Sequence, residues 1–308
     1  MGAALIAIVV IVLWMRRRRN ADFIPLGGGA LPAKIGPYRI DERLREESAA
    51  IVYRARNDEG QPVILKVLPE DALDDANNRR RFERELRAYV KVHHPNICGI
   101  LDFSMGGETP PYLAVESPQG ETLDQILERE GRLAAARAVA ITIPLVQALG
   151  CLHENGIIYR NLHPRNVLVQ PDGFVKLTDF ALARLDFMPS LAATTTAIAE
   201  PQMMSPEQLT RGQESTDHRS DLYSVGVLMY RMLGGRYPFD NANVAVLLKE
   251  ICESRRSPLE EVNPAVPRAL CVVVNKLLER TPDARYETAN GLAEALKEVE
   301  TRLPASAP

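Results

Sequence analysis

The chain has 308 residues, a formal net charge of −3 and 25% charged residues. That length holds one large two-lobed domain or two small ones with an ample core, and the near-neutral balance gives no support for nucleic acid as a partner. Cys98, Cys151, Cys252 and Cys271 lie far apart and form no C-x-x-C pair, which speaks against a zinc site or a disulfide framework and for ordinary reduced thiols.

The run "MGAALIAIVVIVLWM", residues 1–15, is uncharged and apolar, and Arg16 to Arg19 follow it directly. At ~1.5 Å per residue it reaches about 22 Å, short of a ~30 Å hydrocarbon core. Trp14, snorkelling arginines and local thinning of the bilayer would make up the difference. A cleaved signal peptide carries its positive charge before the apolar run, so residues 1–19 are expected to be a transmembrane anchor with a basic flank. The positive-inside rule then puts the rest of the chain in the cytoplasm. An interfacial anchor or a misassigned start codon are the alternatives. Residues 20–36 are rich in Gly and Pro without periodicity and read as a flexible linker.

From Tyr38 the text changes. "YRIDERL", "AAIVYRARN" and "QPVILKVLPE" are short apolar runs split by turn signals, as in an antiparallel sheet. "NNRRRFERELRAYVKV" places Phe82, Leu86 and Tyr89 or Val90 at helical spacing. Strands follow in "ICGILDFSM" and "PYLAVES". After Gly120 the chain reads as mostly helical: "TLDQILEREG" closing on Gly131, a long apolar-faced helix ending at Gly156, then "SDLYSVGVLMYRMLGG" and "TANGLAEALKEVETRL". Sheet first and helices afterwards is an α+β chain. A small lobe over residues 37–117, a large lobe over 120–302 and a tail over 303–308 are expected.

The order of motifs from "VILK" through "FERE", "HHPNI", "VESPQGETL", "YRNLHPRN", "LTDFALAR", "MSPEQL" and "SDLYSVGV" to "TPDARYETA" resembles the eukaryotic-like Ser/Thr protein kinases of bacteria. The resemblance covers about residues 38–302 and implies a two-lobed kinase-like fold. It implies that Lys66 holds nucleotide phosphates, that Glu85 orients Lys66, and that Asp179 and Asn166 hold magnesium. Val52, Ile64, Glu116, Pro118 and Leu168 fall at positions that line the adenine site in that family. Glu207 is expected to pair with Arg285, and Asp221 to hold the backbone of the catalytic loop.

Departures from the pattern are many. Where the family has G-x-G-x-x-G, this chain has Arg45, Glu47 and Ala50, so backbone N–H groups lose their close approach to phosphates. Glu46 and Glu47 would repel a triphosphate. Ile64 replaces the alanine that roofs the adenine pocket. Pro118 has no N–H to offer adenine; active members of the family tolerate a proline there, but all three changes bear on one ligand. In the catalytic loop the aspartate that takes the substrate proton is Asn161, an amide that takes no proton at pH 7. That loss is worth about 10²- to 10⁴-fold. His163 stands in place of a phosphate-contacting lysine, Ala181 in place of a glycine, and Tyr159 in place of a histidine, where packing in the core is expected. Glu200 replaces a threonine that touches this cluster, so a Glu200–His163 ion pair or a surrogate base is one expectation and drift the other. Arg160 is kept, and in the family it often pairs with a phosphorylated residue of the activation segment, here bearing Ser190, Thr194, Thr195 and Thr196.

Three readings follow. The first is a membrane-anchored pseudokinase acting as regulator or scaffold through protein partners, an active kinase that phosphorylates its activation segment among them. The second is a weakly active Ser/Thr kinase, and the third a nucleotide sensor without turnover. Mg-ATP binding is expected to be weak or absent.

Overall fold

The computed structural model describes residues 31–47, 50–178, 201–211 and 216–303. The chain divides into two compact units, Met1–Ala33 and one beginning at Lys34; the described elements belong to the second. Residues 1–19, expected to form the anchor, lie outside the described residues.

The small lobe is a six-stranded antiparallel sheet ordered β1-β2-β3-β4-β6-β5. Its strands are β1 (Lys34–Ile35), β2 (Tyr38–Glu46), β3 (Ile51–Arg56), β4 (Pro62–Val67), β5 (Ile100–Ser104) and β6 (Tyr112–Glu116). β1 falls inside the segment expected to be linker. It pairs Lys34 with Arg39 and Ile35 with Tyr38 through a turn at Gly36, whose φ of 56° favours glycine. A Cβ on Gly36 would also come within 2.9 Å of the Tyr112 ring. The composition of 20–36 thus concealed a strand too short to show periodicity.

Strand alternation sorts the sheet into two faces. Tyr38, Ile40, Tyr53, Ala55, Val63, Leu65, Val67, Tyr112 and Ala114 form one buried cluster. The phenols of Tyr38 and Tyr112 both donate to Asp102, at 3.3 and 2.9 Å, and burial, followed by this contact, pushes Tyr38 up to about 12. The helix α1 (Ala76–Tyr89) buries Phe82, Leu86 and Tyr89 into the main core and leaves Val90 exposed, which resolves the register the sequence left open.

After Gly120 the helices are α2 (Leu123–Glu130), α3 (Ala135–Glu154), α4 (Pro206–Arg211), α5 (Arg219–Gly234), α6 (Val244–Glu253), α7 (Leu259–Val262), α8 (Arg268–Leu277) and α9 (Ala289–Glu300). α2 starts on a capping box, Thr122 with Gln125, and stops at Gly131. α4, α6, α7 and α8 were not singled out as helices in the sequence, although Asn243 caps α6 through the amides of Ala245 and Val246. By length and composition α3 is apolar enough to cross a membrane, but 61% of its window is buried inside the protein, as befits a core helix. α5 is buried along nearly its whole length. Gly226 makes its packing on α8 possible, since a Cβ there would lie 2.6 Å from the Leu277 Cβ.

A second sheet, β7 (Glu121–Thr122), β8 (Val167–Val169) and β9 (Val175–Leu177), lies at the start of the large lobe. The "HPNI" segment ties into it. Buried Asn96 donates to Val175 O at 2.7 Å, while Leu177 N donates to Asn96 O and Cys98 N to Leu177 O.

Candidate active site

The segment 157–166 runs from α3 to β8 and carries the motif "YRNLHPRN". Asp221, at the first turn of α5 and 1% exposed, organises it. Its carboxylate accepts from Tyr159 N (2.8 Å) and Arg160 N (2.7 Å) and contacts His153 Nε2 (2.8 Å). Arg160 has φ 63°, a left-handed conformation that costs a non-glycine residue about 1–2 kcal/mol. Bonds on two successive amides hold it there. Tyr159 is buried, as expected for a packing residue, and its hydroxyl also donates to Thr178 O.

Asn161 is half-buried, and its carbonyl accepts from Asn166 Nδ2 at 2.9 Å. Asn166 closes the 3₁₀ turn Pro164–Asn166, and its own carbonyl accepts from Thr178 N at 2.8 Å. With Nδ2 committed, Oδ1 is the atom through which Asn166 would meet a metal. Asp179, Ala181 and Glu200 lie outside the described residues, as do Ser190 and Thr194 to Thr196.

His163 is 8% exposed, and its Nδ1 accepts from Arg165 N (3.1 Å) and Arg165 Nε (3.2 Å). Burial, and after it the Arg165 guanidinium, push the imidazole down to about 3. At that value the ring is neutral at pH 7; the ion pair expected with Glu200 falls outside the described residues. Arg165 is the residue that sequence reasoning missed. It stands two positions after His163 in "HPRN" and returns a permanent cation to the loop.

The strand register places the nucleotide-site candidates on one face. Lys66 is opposite Val52 and Leu113, and Ile64 is opposite Arg54 and Val115. Val52 is fully buried, Ile64 partly so. Lys66, with a side chain only 3% exposed, lies on the Glu47 carboxylate, Nζ to Oε2 3.0 Å and to Oε1 3.3 Å. Glu47 also takes Arg45, at 2.6 Å from Nη2. Glu47, expected from the sequence to repel a triphosphate, is placed by the structure in an ion pair with Lys66. Glu85 is half-buried on α1 beside buried Leu86.

At the connection between lobes, Glu116 N donates to Gly99 O at 3.0 Å. Its carboxylate pairs with Lys176 of β9, a partner no motif announced. Leu168 opposes Lys176 across β8 and β9. Pro118 is half-buried just beyond β6.

Among the described residues, the lysine that the resemblance assigns to phosphates is engaged by Glu47, the loop before β3 has no glycine, and Pro118 has no N–H to offer.

Below the site the large lobe is built as the motifs imply. Glu207 and Arg285 form a two-point pair at 2.6 and 2.8 Å, and Ser220 donates to Glu207 at 2.7 Å. Arg285 further donates to Glu279 O, Arg280 O and Arg219 O and lies 4.8 Å over the Tyr223 ring.

A sheet lobe bearing a buried lysine, joined through a short hinge to a helical lobe bearing an Arg-Asn catalytic loop, is the frame of a phosphotransfer domain. Residues 38–297 match the protein kinase domain family, and the chain belongs to it. It is 35% identical over 288 residues to the serine/threonine-protein kinase pkn3 of Myxococcus xanthus, covering 88% of this chain and 52% of that one. It is 36% identical over 252 residues to the probable serine/threonine-protein kinase PknB of Lactococcus lactis subsp. lactis, covering 81% and 40%. With PksC of Streptomyces coelicolor the identity is 32% over 285 residues, covering 89% and 50%. The chain thus spans about half or less of the length of these relatives.

Proposed function

We propose that this protein kinase domain is a pseudokinase, a regulator or scaffold that acts by binding protein partners rather than by transferring phosphate. The observation that carries this reading is the absence of a matched proton acceptor among the described residues of the catalytic loop. Asn161 is an amide, and His163, pushed down to about 3, is too weak a base to take a hydroxyl proton near pH 7. The filled Lys66 supports the same reading from the nucleotide side. Arg160 remains the group to receive a phosphate placed on the activation segment by a partner kinase. The apolar run 1–15 with Arg16 to Arg19 supports a membrane tether.

A single-turnover assay with radiolabelled Mg-ATP and a generic protein substrate tests it, comparing wild type with Asn161→Asp. The expected result is no transfer by either. A gain of 10²-fold or more in Asn161→Asp would show a working site short only of its base, and a weakly active Ser/Thr kinase would replace the pseudokinase. Transfer by the wild type would do so directly.

A further inference from the structure

The outward face of α1 carries a charge pattern that neither the catalytic loop nor the nucleotide-site candidates use. Phe82, Leu86 and Tyr89 turn one face of this helix into the core. At about 100° per residue, Arg80, Arg84 and Arg87 fall within about 60° of one another on the opposite face. Lys91, in the turn after the helix, continues the row, and all four are exposed. With Glu83 and Ala88 they border an open groove of about 500 Å³ that no other element lines among the described residues. Local helix physics does not account for this row. α1 has no acid in its first turn, and of its three arginines only Arg87 lies in the last turn, where a cation suits the helix dipole. Arg80–Arg84 and Arg87–Lys91 are like-charge pairs at i,i+4, which disfavour a helix. Within the row, Arg87 is held by Glu83, with Nη2 and Nε at 2.7 and 3.1 Å from one carboxylate oxygen. Arg80, Arg84 and Lys91 make no ion pair among the described residues.

We propose that this face of α1 docks an acidic segment of a protein partner, whose carboxylates sit on Arg80, Arg84, Arg87 and Lys91. Four cations face one carboxylate in a groove on a chain whose net charge is −3, so the face is complementary to an anion and not to the rest of its own chain. Three of the four are arginines, whose planar forks match a carboxylate at two points; an anionic lipid surface would be met as well by the point charges of lysines. Successive cations rise about 6, 4.5 and 6 Å along the helix axis, close to the ~6.6 Å between alternate side chains of an extended segment. A stretch with an acid at every second position therefore meets each cation in turn. This names the chemistry of a partner for a domain read as acting by binding proteins and rests on that reading, but it does not require that phosphate transfer be lost.

The test is fluorescence anisotropy of a labelled peptide of alternating Glu and Ala, with its Gln-Ala counterpart as control, titrated with the full chain in neutral detergent at low salt. Wild type is compared with Arg84→Glu/Lys91→Glu and with Lys249→Glu/Arg268→Glu, an exposed pair on α6 and α8 that changes net charge equally. Thermal unfolding establishes that each is folded, and Arg84→Gln/Lys91→Gln provides a milder removal of the same charges. The expected result is binding of the Glu peptide alone, weakened about tenfold or more by Arg84→Glu/Lys91→Glu and unchanged in the α6 and α8 variant. Binding should vanish at about 1 M salt, where the Debye length is ~3 Å. The proposal is overturned if the Glu peptide does not bind, if the Gln peptide binds as well, or if both charge reversals weaken binding equally, because then net charge alone decides. Maleimide labelling at Ala88→Cys locates the ligand, and the Glu peptide should slow it. Micelles doped with phosphatidylserine that slow it as much as the peptide would give the face to the membrane and overturn the proposal. Phosphate transfer by the wild type would sink the pseudokinase and leave this comparison standing, whereas a peptide that fails to bind would leave the pseudokinase standing.

Discussion

Replacing Glu207 by Gln asks how much of the large lobe hangs on one ion pair. The Arg285 side chain is 0% exposed and that of Glu207 8%, so the pair is screened by neither water nor salt. The substitution keeps volume and leaves one acceptor for Arg285 or Ser220, but it strips the counter-charge from a guanidinium sealed among Glu279 O, Arg280 O, Arg219 O and the Tyr223 ring. Removing one partner of such a pair costs about 3–5 kcal/mol, and the retained acceptor puts Gln at the lower end. With a urea dependence of about 3 kcal/mol/M, the midpoint falls by about 1 M. Circular dichroism is the suitable signal, since the only tryptophan, Trp14, lies before the domain. The pair also has a pH signature. Burial raises the Glu207 carboxyl, but hydrogen bonds and charge from Arg285, with Ser220, outweigh it and hold the group below its ordinary 4.5. A depressed folded-state carboxyl stabilises fully above the unfolded value and is lost as pH falls through the folded one. Wild type should therefore shed this contribution below about pH 4.5, and Glu207→Gln should lack that acid slope. The double variant Glu207→Met/Arg285→Met should cost less than Glu207→Gln, because it strands no charge. A loss under about 1 kcal/mol in the single variant, or a double variant worse than it, would refute the reasoning.

Other outcomes follow from the same contacts. Asp221→Ala should release the strained Arg160 backbone, seen as faster hydrogen exchange at the Tyr159 and Arg160 amides; unchanged protection there would show that the loop is held by something else. Gly226→Ala should destabilise by about 1–3 kcal/mol through overpacking on Leu277, and a wild-type melting temperature would mean that α5 and α8 separate easily. His163, held near 3 against an unfolded value of 6.5, leaves the folded state binding fewer protons than the unfolded. Its contribution is present above pH 6.5 and is progressively lost as pH falls toward 3. His94, lowered by burial, acts with the same sign. His163→Gln should therefore flatten stability between pH 6.5 and 4.5, and an NMR titration placing the His163 ring near 6.5 would remove both this prediction and the neutral-imidazole step in the proposed function.

Chain order alone determined the family, the small sheet, the path of α1 and the two long-range partners Glu207–Arg285, because these follow from local period and from motifs whose spacing is rigid. The loss of a base at Asn161 was equally legible, since an amide is an amide in any fold. What the sequence could not decide were matters of distance and dielectric. Glu47 reads as one of two acids near a phosphate site, and only the turn closed on Ala50 brings it, rather than Glu46, onto Lys66. His163 reads as a titratable ring at neutral pH, and only burial beneath Arg165 makes it a neutral acceptor. Lys176 carries no motif at all; it meets Glu116 because β9 runs under the hinge, a contact 60 residues distant in sequence. β1 and the helices α4, α6, α7 and α8 were missed because short segments take their conformation from the surface they pack against, which exists only once the rest of the chain is in place.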